Sequence, residues 1–179
     1  AFYLAIGVFD AIWALFVTDL GAGPIYIGIT MSLFTLPMIF VAPLAGRWAA
    51  NRHLLHTLMM TLGLAGLMIV SYGFIGSLTW ILIPMLVHAV VDAVSMPASQ
   101  LAVGTASGET AIAAGQGLFG ATGLIIAAIS SVGGGYVYQE WGMTVVWPMV
   151  TLLMAVCLAF AYLRGKQGDW QVKGEPDPE

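Results

Sequence analysis

Six apolar runs, at about residues 1 to 18, 25 to 45, 54 to 75, 78 to 98, 111 to 137 and 143 to 163, make up most of this chain. Each is close to the roughly 20 residues that an α-helix needs to cross the ~30 Å hydrocarbon core of a bilayer. In lipid no water is available to the backbone, so a spanning segment must satisfy its own N–H and C=O groups, and a helix does so within a single run. Composition closes the soluble alternative: 60% of the residues are hydrophobic and 8% are charged, against about 25% charged in a soluble domain. The predicted fold is an all-α integral membrane protein with six transmembrane helices, spanning residues 1 to 165.

The runs are separated by "TDLGAGP", "GRWAANRH", "GS", "GTASGET" and "QEWG", where Gly, Pro, Ser and Asn cluster as turn residues do. Trp80, Trp141 and Trp147 lie near run ends, where interfacial anchors are expected. The fifth run exceeds what the bilayer needs, which predicts tilt or a kink near Gly133, Gly134 and Gly135. Pro37, Pro43, Pro84 and Pro97 read as kinks near helix ends.

Charge orients the chain. Arg47 and Arg52 fall in the second break and Arg164, Lys166 and Lys173 follow the last run, so all basic residues share one side of a six-span layout. That side is expected to be cytoplasmic, with both ends of the chain on it. Asp19 and Glu140 occupy the opposite breaks, and Glu109 the basic-free fourth one; acids contribute little to orientation. The first run lacks a basic leader and contains Asp10, which argues against a secretory signal. Beginning at Ala1 without Met, the chain reads as a fragment, and residues 166 to 179 as a polar cytoplasmic tail. The single cysteine, Cys157, lies in an apolar run, so no intramolecular disulfide is possible and a membrane-buried side chain is expected.

Residues 7 to 53, "GVFDAIWALFVTDLGAGPIYIGITMSLFTLPMIFVAPLAGRWAANRH", resemble the first two helices of a major facilitator superfamily half, with the short loop that follows them. Gly46, Arg47, Asn51 and Arg52 keep part of that loop's pattern, while Ala50 stands where the family has an acid and His53 where it has a glycine. A degenerate loop of this kind is more similar to the C-terminal half of such a transporter. The resemblance implies a six-helix half bundle of two three-helix inverted repeats, completed by a missing N-terminal six-helix half. It also implies alternating-access exchange of a small organic solute, a drug-like efflux substrate or a sugar, together with protons. From the residues alone, Arg47 and Arg52 read as anchors to lipid phosphates or as a conformational latch; the loss of the acid at Ala50 weakens the latch.

Gly123, Ala127, Ser131 and Gly135 recur every four residues, a stripe of small side chains that lets another helix approach closely where lipid offers no hydrophobic drive for association.

The stretch "VHAVVDAVSMPAS", residues 87 to 99, carries His88 and Asp92 at i and i+4, on one helical face. Asp92 lies about 21 Å along its run at 1.5 Å per residue. Asp10 poses the same problem within the first run, the corresponding helix if the six divide into two repeats of three. A charge at the bilayer centre costs at least about 2.5–3.5 kcal/mol, so both acids are expected to face an interior cavity, either fixed as structural pairs or acting as proton carriers with His88 tuning Asp92. Trp13, Gln100, Gln116 and Phe119 could help line that cavity or serve as ordinary packing.

The chain contains no G-x-x-x-x-G-K-[ST], G-x-S-x-G or H-E-x-x-H pattern, so neither nucleotide hydrolysis nor intramembrane proteolysis is supported. The Met-rich composition reads as adaptable packing. No catalytic residue, metal, cofactor or nucleic-acid partner is expected. The expected partners are solute, protons, lipid and the other half, and the expected location is a bacterial inner (plasma) membrane. A non-transporting scaffold or a self-pairing half-transporter is the alternative, with an intramembrane enzyme behind it.

Overall fold

A computed structural model describes residues 1–165, and the tail expected at 166 to 179 lies outside the described residues. Six helices follow in order: α1 Phe2–Asp19, α2 Pro24–Ala50, α3 Leu54–Tyr72, α4 Leu82–Ser107, α5 Ile112–Trp141 and α6 Met143–Gly165. Each of the six is long and apolar enough to cross a membrane. No strand occurs among the described residues.

Three helices outrun the apolar runs that announce them. α2 continues through Gly46 and Arg47 to Ala50, so both residues belong to its last turns rather than to a loop; only Asn51, Arg52 and His53 connect it to α3. Ala and Arg are strong helix formers, and the segment has no reason to unwind before Asn51. α4 continues past Pro97 to Ser107. Its polar residues do not break it, because Ser99 donates to the carbonyl of Ser95 at 2.8 Å, Thr105 to that of Leu101 at 3.0 Å and Ser107 to that of Val103 at 2.7 Å. Hydroxyls that bond back along the helix remain inside it. α5 runs unbroken across Gly133–Gly135 to Trp141 and is then stopped by a single residue. Gly142 has φ +72, a left-handed conformation that a Cβ would strain, and it turns the chain directly into α6. Pro37 and Pro97 lie within α2 and α4, away from their ends; Pro84 sits in the first turn of α4, where no amide hydrogen bond is lost.

The helices pack in an interleaved order. α1 packs chiefly on α5, α2 on α4, and α3 on both α4 and α6, while the backbones of α1 and α2 approach each other little although they are consecutive. Exchanging the first three helices with the last three turns the α1–α5 pairing into α4–α2. That is the relation expected of two inverted three-helix repeats.

Close approach of α1 to α5 is built from small residues. A Cβ on Gly7 would fall on the backbone of Ala127 and the hydroxyl of Ser130, and one on Gly123 would meet the ring of Tyr3. Ser131 donates to the carbonyl of Gly7 at 2.7 Å. The stripe drifts from its expected course at its far end: Gly134 rests against Val8, whereas Gly135 faces open space. A step of four residues overshoots a 3.6-residue turn by about 40°, so Gly135 is turned about 120° from Gly123 while Gly134 is only about 20° off.

Aromatic rings from four helices fill the core. Phe9 stacks on Trp13 and on Phe34 with centroids 4.7 Å apart in each case, and Tyr72 and Trp147 meet edge to face at 5.3 Å. On the outside, Phe40, Leu44, Leu124, Ile129 and Val132 are exposed, which costs nothing against lipid chains.

Candidate functional site

α4 carries the site. His88 and Asp92 stand one turn apart on its inward face, 1% and 4% exposed, with Nε2 of the imidazole 3.5 Å from a carboxylate oxygen. That separation is an ion-pair distance, longer than a good N–H···O hydrogen bond. On the other side of the ring, Nδ1 lies 3.0 Å from the hydroxyl of Tyr72 at the end of α3. Phe9 and Phe34 close over the imidazole edge to face, with centroids 5.8 and 5.4 Å away. The result is a line of three polar groups, Tyr72, His88 and Asp92, enclosed in an apolar wall.

Asp10 follows Phe9 in α1 but is turned outward and exposed. It remains close enough for its charge to bear on Asp92. The expectation that both acids face one interior cavity is therefore modified: Asp92 is buried inside the bundle, whereas Asp10 stands at its surface beside it. α1 must present one side to the aromatic core through Phe9, Ile12, Trp13 and Phe16, and at 100° per residue Asp10 falls on the side left over.

Trp13 lines neither of the two pockets described below. It is fully buried, and its indole N–H donates to the hydroxyl of Thr30 at 3.1 Å, tying α1 to α2. Gln116 stands apart from the acids. Its amide donates to the backbone carbonyl of Gln100 at 2.7 Å, about 12 Å along α4 from Asp92 at 1.5 Å per residue. There the two glutamines, Gly46, Thr105 and Glu109 line an open pocket of about 890 Å³. Phe119 packs edge to face on Tyr3, in a smaller apolar crevice that Cys157 also lines; Cys157 itself is exposed.

Arg47 and Arg52 are exposed, and His88–Asp92 is the one ion pair among the described residues. Arg52 lies over the ring of Trp48, 5.2 Å from its centroid, and the side chain of Asn51 donates to the carbonyl of Arg47 at 3.1 Å. A latch needs an acceptor, and the described residues offer neither arginine a carboxylate. An anchor in the interfacial layer needs only lipid. His53 and His56 face each other with ring centroids 4.4 Å apart.

Two contributors escaped the sequence reading. Tyr72 meets His88 across the α3–α4 packing, and nothing in their spacing marks the pair. Tyr138 donates to the carboxylate of Asp19 at 2.5 Å, joining the ends of α5 and α1 at the face opposite the arginines; two polar residues at matching helix ends were the only sign of it.

The family model for the Major Facilitator Superfamily matches residues 1–178 of the chain. No curated protein and no solved structure gives a significant match.

Proposed function

The chain belongs to the Major Facilitator Superfamily, and from that membership we propose that it forms the C-terminal six-helix half of a proton-coupled secondary transporter for a small organic solute. Transport across a membrane, not catalysis, is the family's activity. The observation that carries the finer reading is the buried carboxylate of Asp92, held beside His88 within reach of Asp10 at the surface of the bundle. An acid kept inside a membrane protein at a cost of several kcal/mol needs a role that repays it. An acid that feels the charge of a second one on the exposed face of the bundle can take up and release a proton as the surroundings alternate. The second half would cover the face bearing Asp10 and form the cavity, with access alternating by rocking of the halves. A drug-like compound or a sugar suits such a cavity. The same reading puts the arginine-bearing ends of α2 and α6 in the cytoplasm of a bacterial cell, with Asp19 and Glu140 on the far side of the inner membrane.

Topology offers a direct check. With Cys157 replaced by Ser, single cysteines at Asn51 and Gly23 should label from opposite sides, Asn51→Cys from the cytoplasm and Gly23→Cys from outside. Gly23 has open space around it and φ −84, so the substitution leaves the turn intact. Labelling of both from one face would sink the six-span arrangement.

Transport itself tests the half reading. The 179-residue chain alone in proteoliposomes with an inward proton gradient should show no saturable uptake, and the complete transporter should accumulate its solute. Full uptake by the chain alone would favour a self-pairing unit instead.

A further inference from the structure

The contact between Tyr72 and His88 has a direction that the surroundings determine. A neutral imidazole has one donor and one acceptor nitrogen, so two arrangements are open. In the first, the Tyr72 hydroxyl donates to Nδ1 and the ring proton sits on Nε2, pointing at Asp92. In the second, Nδ1 donates to Tyr72 and a bare Nε2 lone pair faces the carboxylate. Tyr72 is fully buried, and its hydroxyl has no other acceptor among the described residues. The second arrangement therefore leaves the phenolic proton unpaired and sets two acceptors against each other across 3.5 Å. The first pairs the phenolic proton and turns the Nε2 proton, which has no hydrogen-bond partner of its own, toward the carboxylate across 3.5 Å, an electrostatically favourable approach.

We propose that Tyr72 is a positioning residue that acts through His88: by donating to Nδ1 it fixes the Nε2–H tautomer and so presents a donor to Asp92. The inference rests on the reading of Asp92 as the proton-coupling acid only for its effect on transport; the tautomer stands on geometry alone. The titratable groups around the imidazole are Tyr72 from α3, Asp92 from α4 and, beyond Asp92, Asp10 from α1. α1 and α2 otherwise contribute Phe9 and Phe34. No other side chain on these elements competes for either ring nitrogen among the described residues.

Nitrogen-15 spectra of histidine-labelled protein in bilayers, with the His88 signals identified by their loss in His88→Gln, test the tautomer. Wild type should show Nε2 protonated and Nδ1 as acceptor. Tyr72→Phe, which keeps the ring in the aromatic core, should show a mixture of both neutral tautomers and lower proton-driven accumulation about fivefold, as expected for one net hydrogen bond. Glutamine places its amide nitrogen near the position of Nε2 and needs no tautomer, so in the His88→Gln background Tyr72→Phe should change nothing further. A wild-type ring protonated at Nδ1, a Tyr72→Phe ring still wholly Nε2–H, or equal damage by Tyr72→Phe in both backgrounds would each overturn the proposal. If Asp92→Asn left accumulation intact, the coupling reading would fail, and the spectra would still decide for or against Tyr72. Should Tyr72→Phe not fold, the wild-type tautomer decides alone.

Discussion

Asp92→Asn in the complete transporter should reduce proton-driven accumulation to equilibration while leaving exchange of solute down its own gradient close to wild type. One pH unit corresponds to about 1.4 kcal/mol, so a one-unit gradient coupled to one proton sustains about a tenfold concentration ratio. Without an ionisable group at position 92 that ratio should fall to one. The amide keeps the shape of the carboxylate and forfeits no hydrogen bond to His88, whose Nε2 stands 3.5 Å away at ion-pair distance, so the bundle loses little stability. That is what separates a coupling role from a structural one, because a structural acid would take exchange and accumulation down together. Side-by-side measurement of counterflow and of gradient-driven uptake in proteoliposomes distinguishes the two. Retention of accumulation by the double variant Asp10→Asn with Asp92→Asn would end the coupling reading.

Gly7→Ala should destabilise the bundle by about 3 kcal/mol, at the upper end of the overpacking range, whereas the same substitution at Gly28 should be neutral or slightly stabilising. The sign differs although both positions are helical. Alanine is the better helix former by about 1 kcal/mol, and at Gly28 nothing lies within 4 Å of the added Cβ. At Gly7 the obstacle is the main chain of Ala127, which cannot swing aside as a side chain could, so α1 and α5 must separate and the Ser131 bond to the Gly7 carbonyl stretches. Thermal unfolding of the detergent-solubilised protein checks both. A Gly7→Ala variant as stable as wild type would mean that the two helices do not meet as described.

The spans were legible because lipid demands length and hydrophobicity above all, and both are properties of a single run. Their ends were less so. Ser99, Thr105 and Ser107 look like loop chemistry until each is seen to bond the carbonyl four residues back. Within the site, His88 and Asp92 could be paired from sequence because four residues is one helical turn. Tyr72 could not, since its place beside His88 depends on how α3 packs against α4. The place of Trp13 was open for the same reason: an aromatic residue near an acid suits a lining or ordinary packing, and only the rotation of α1 about its axis decides that it faces the core and Asp10 does not. The expected four-residue stripe on α5 kept Gly123 and Ala127 against α1 and lost Gly135, because pattern matching counts residues whereas packing follows degrees of rotation.

The interleaved pairing also has a consequence for biogenesis. Of these six helices a ribosome delivers α1 and α2 before the others, yet most of their packing comes later: α1 awaits α5 and α2 awaits α4, and between themselves they share mainly the Trp13–Thr30 hydrogen bond and the Phe9–Phe34 stack. Early helices must therefore reside in the bilayer, or be held at the insertion machinery, with their final contacts unmade. Asp10 enters the membrane long before the aspartate it will stand beside has been translated. The α1–α2 and α2–α3 hairpins close only weakly as they emerge, and most of the assembly comes late, once α4 and α5 arrive. A pause in synthesis after α3 would leave these spans with aromatic contacts among themselves but without the main partners of α1 and α2, which makes that stage the point at which membrane quality control would find this part of the protein most vulnerable.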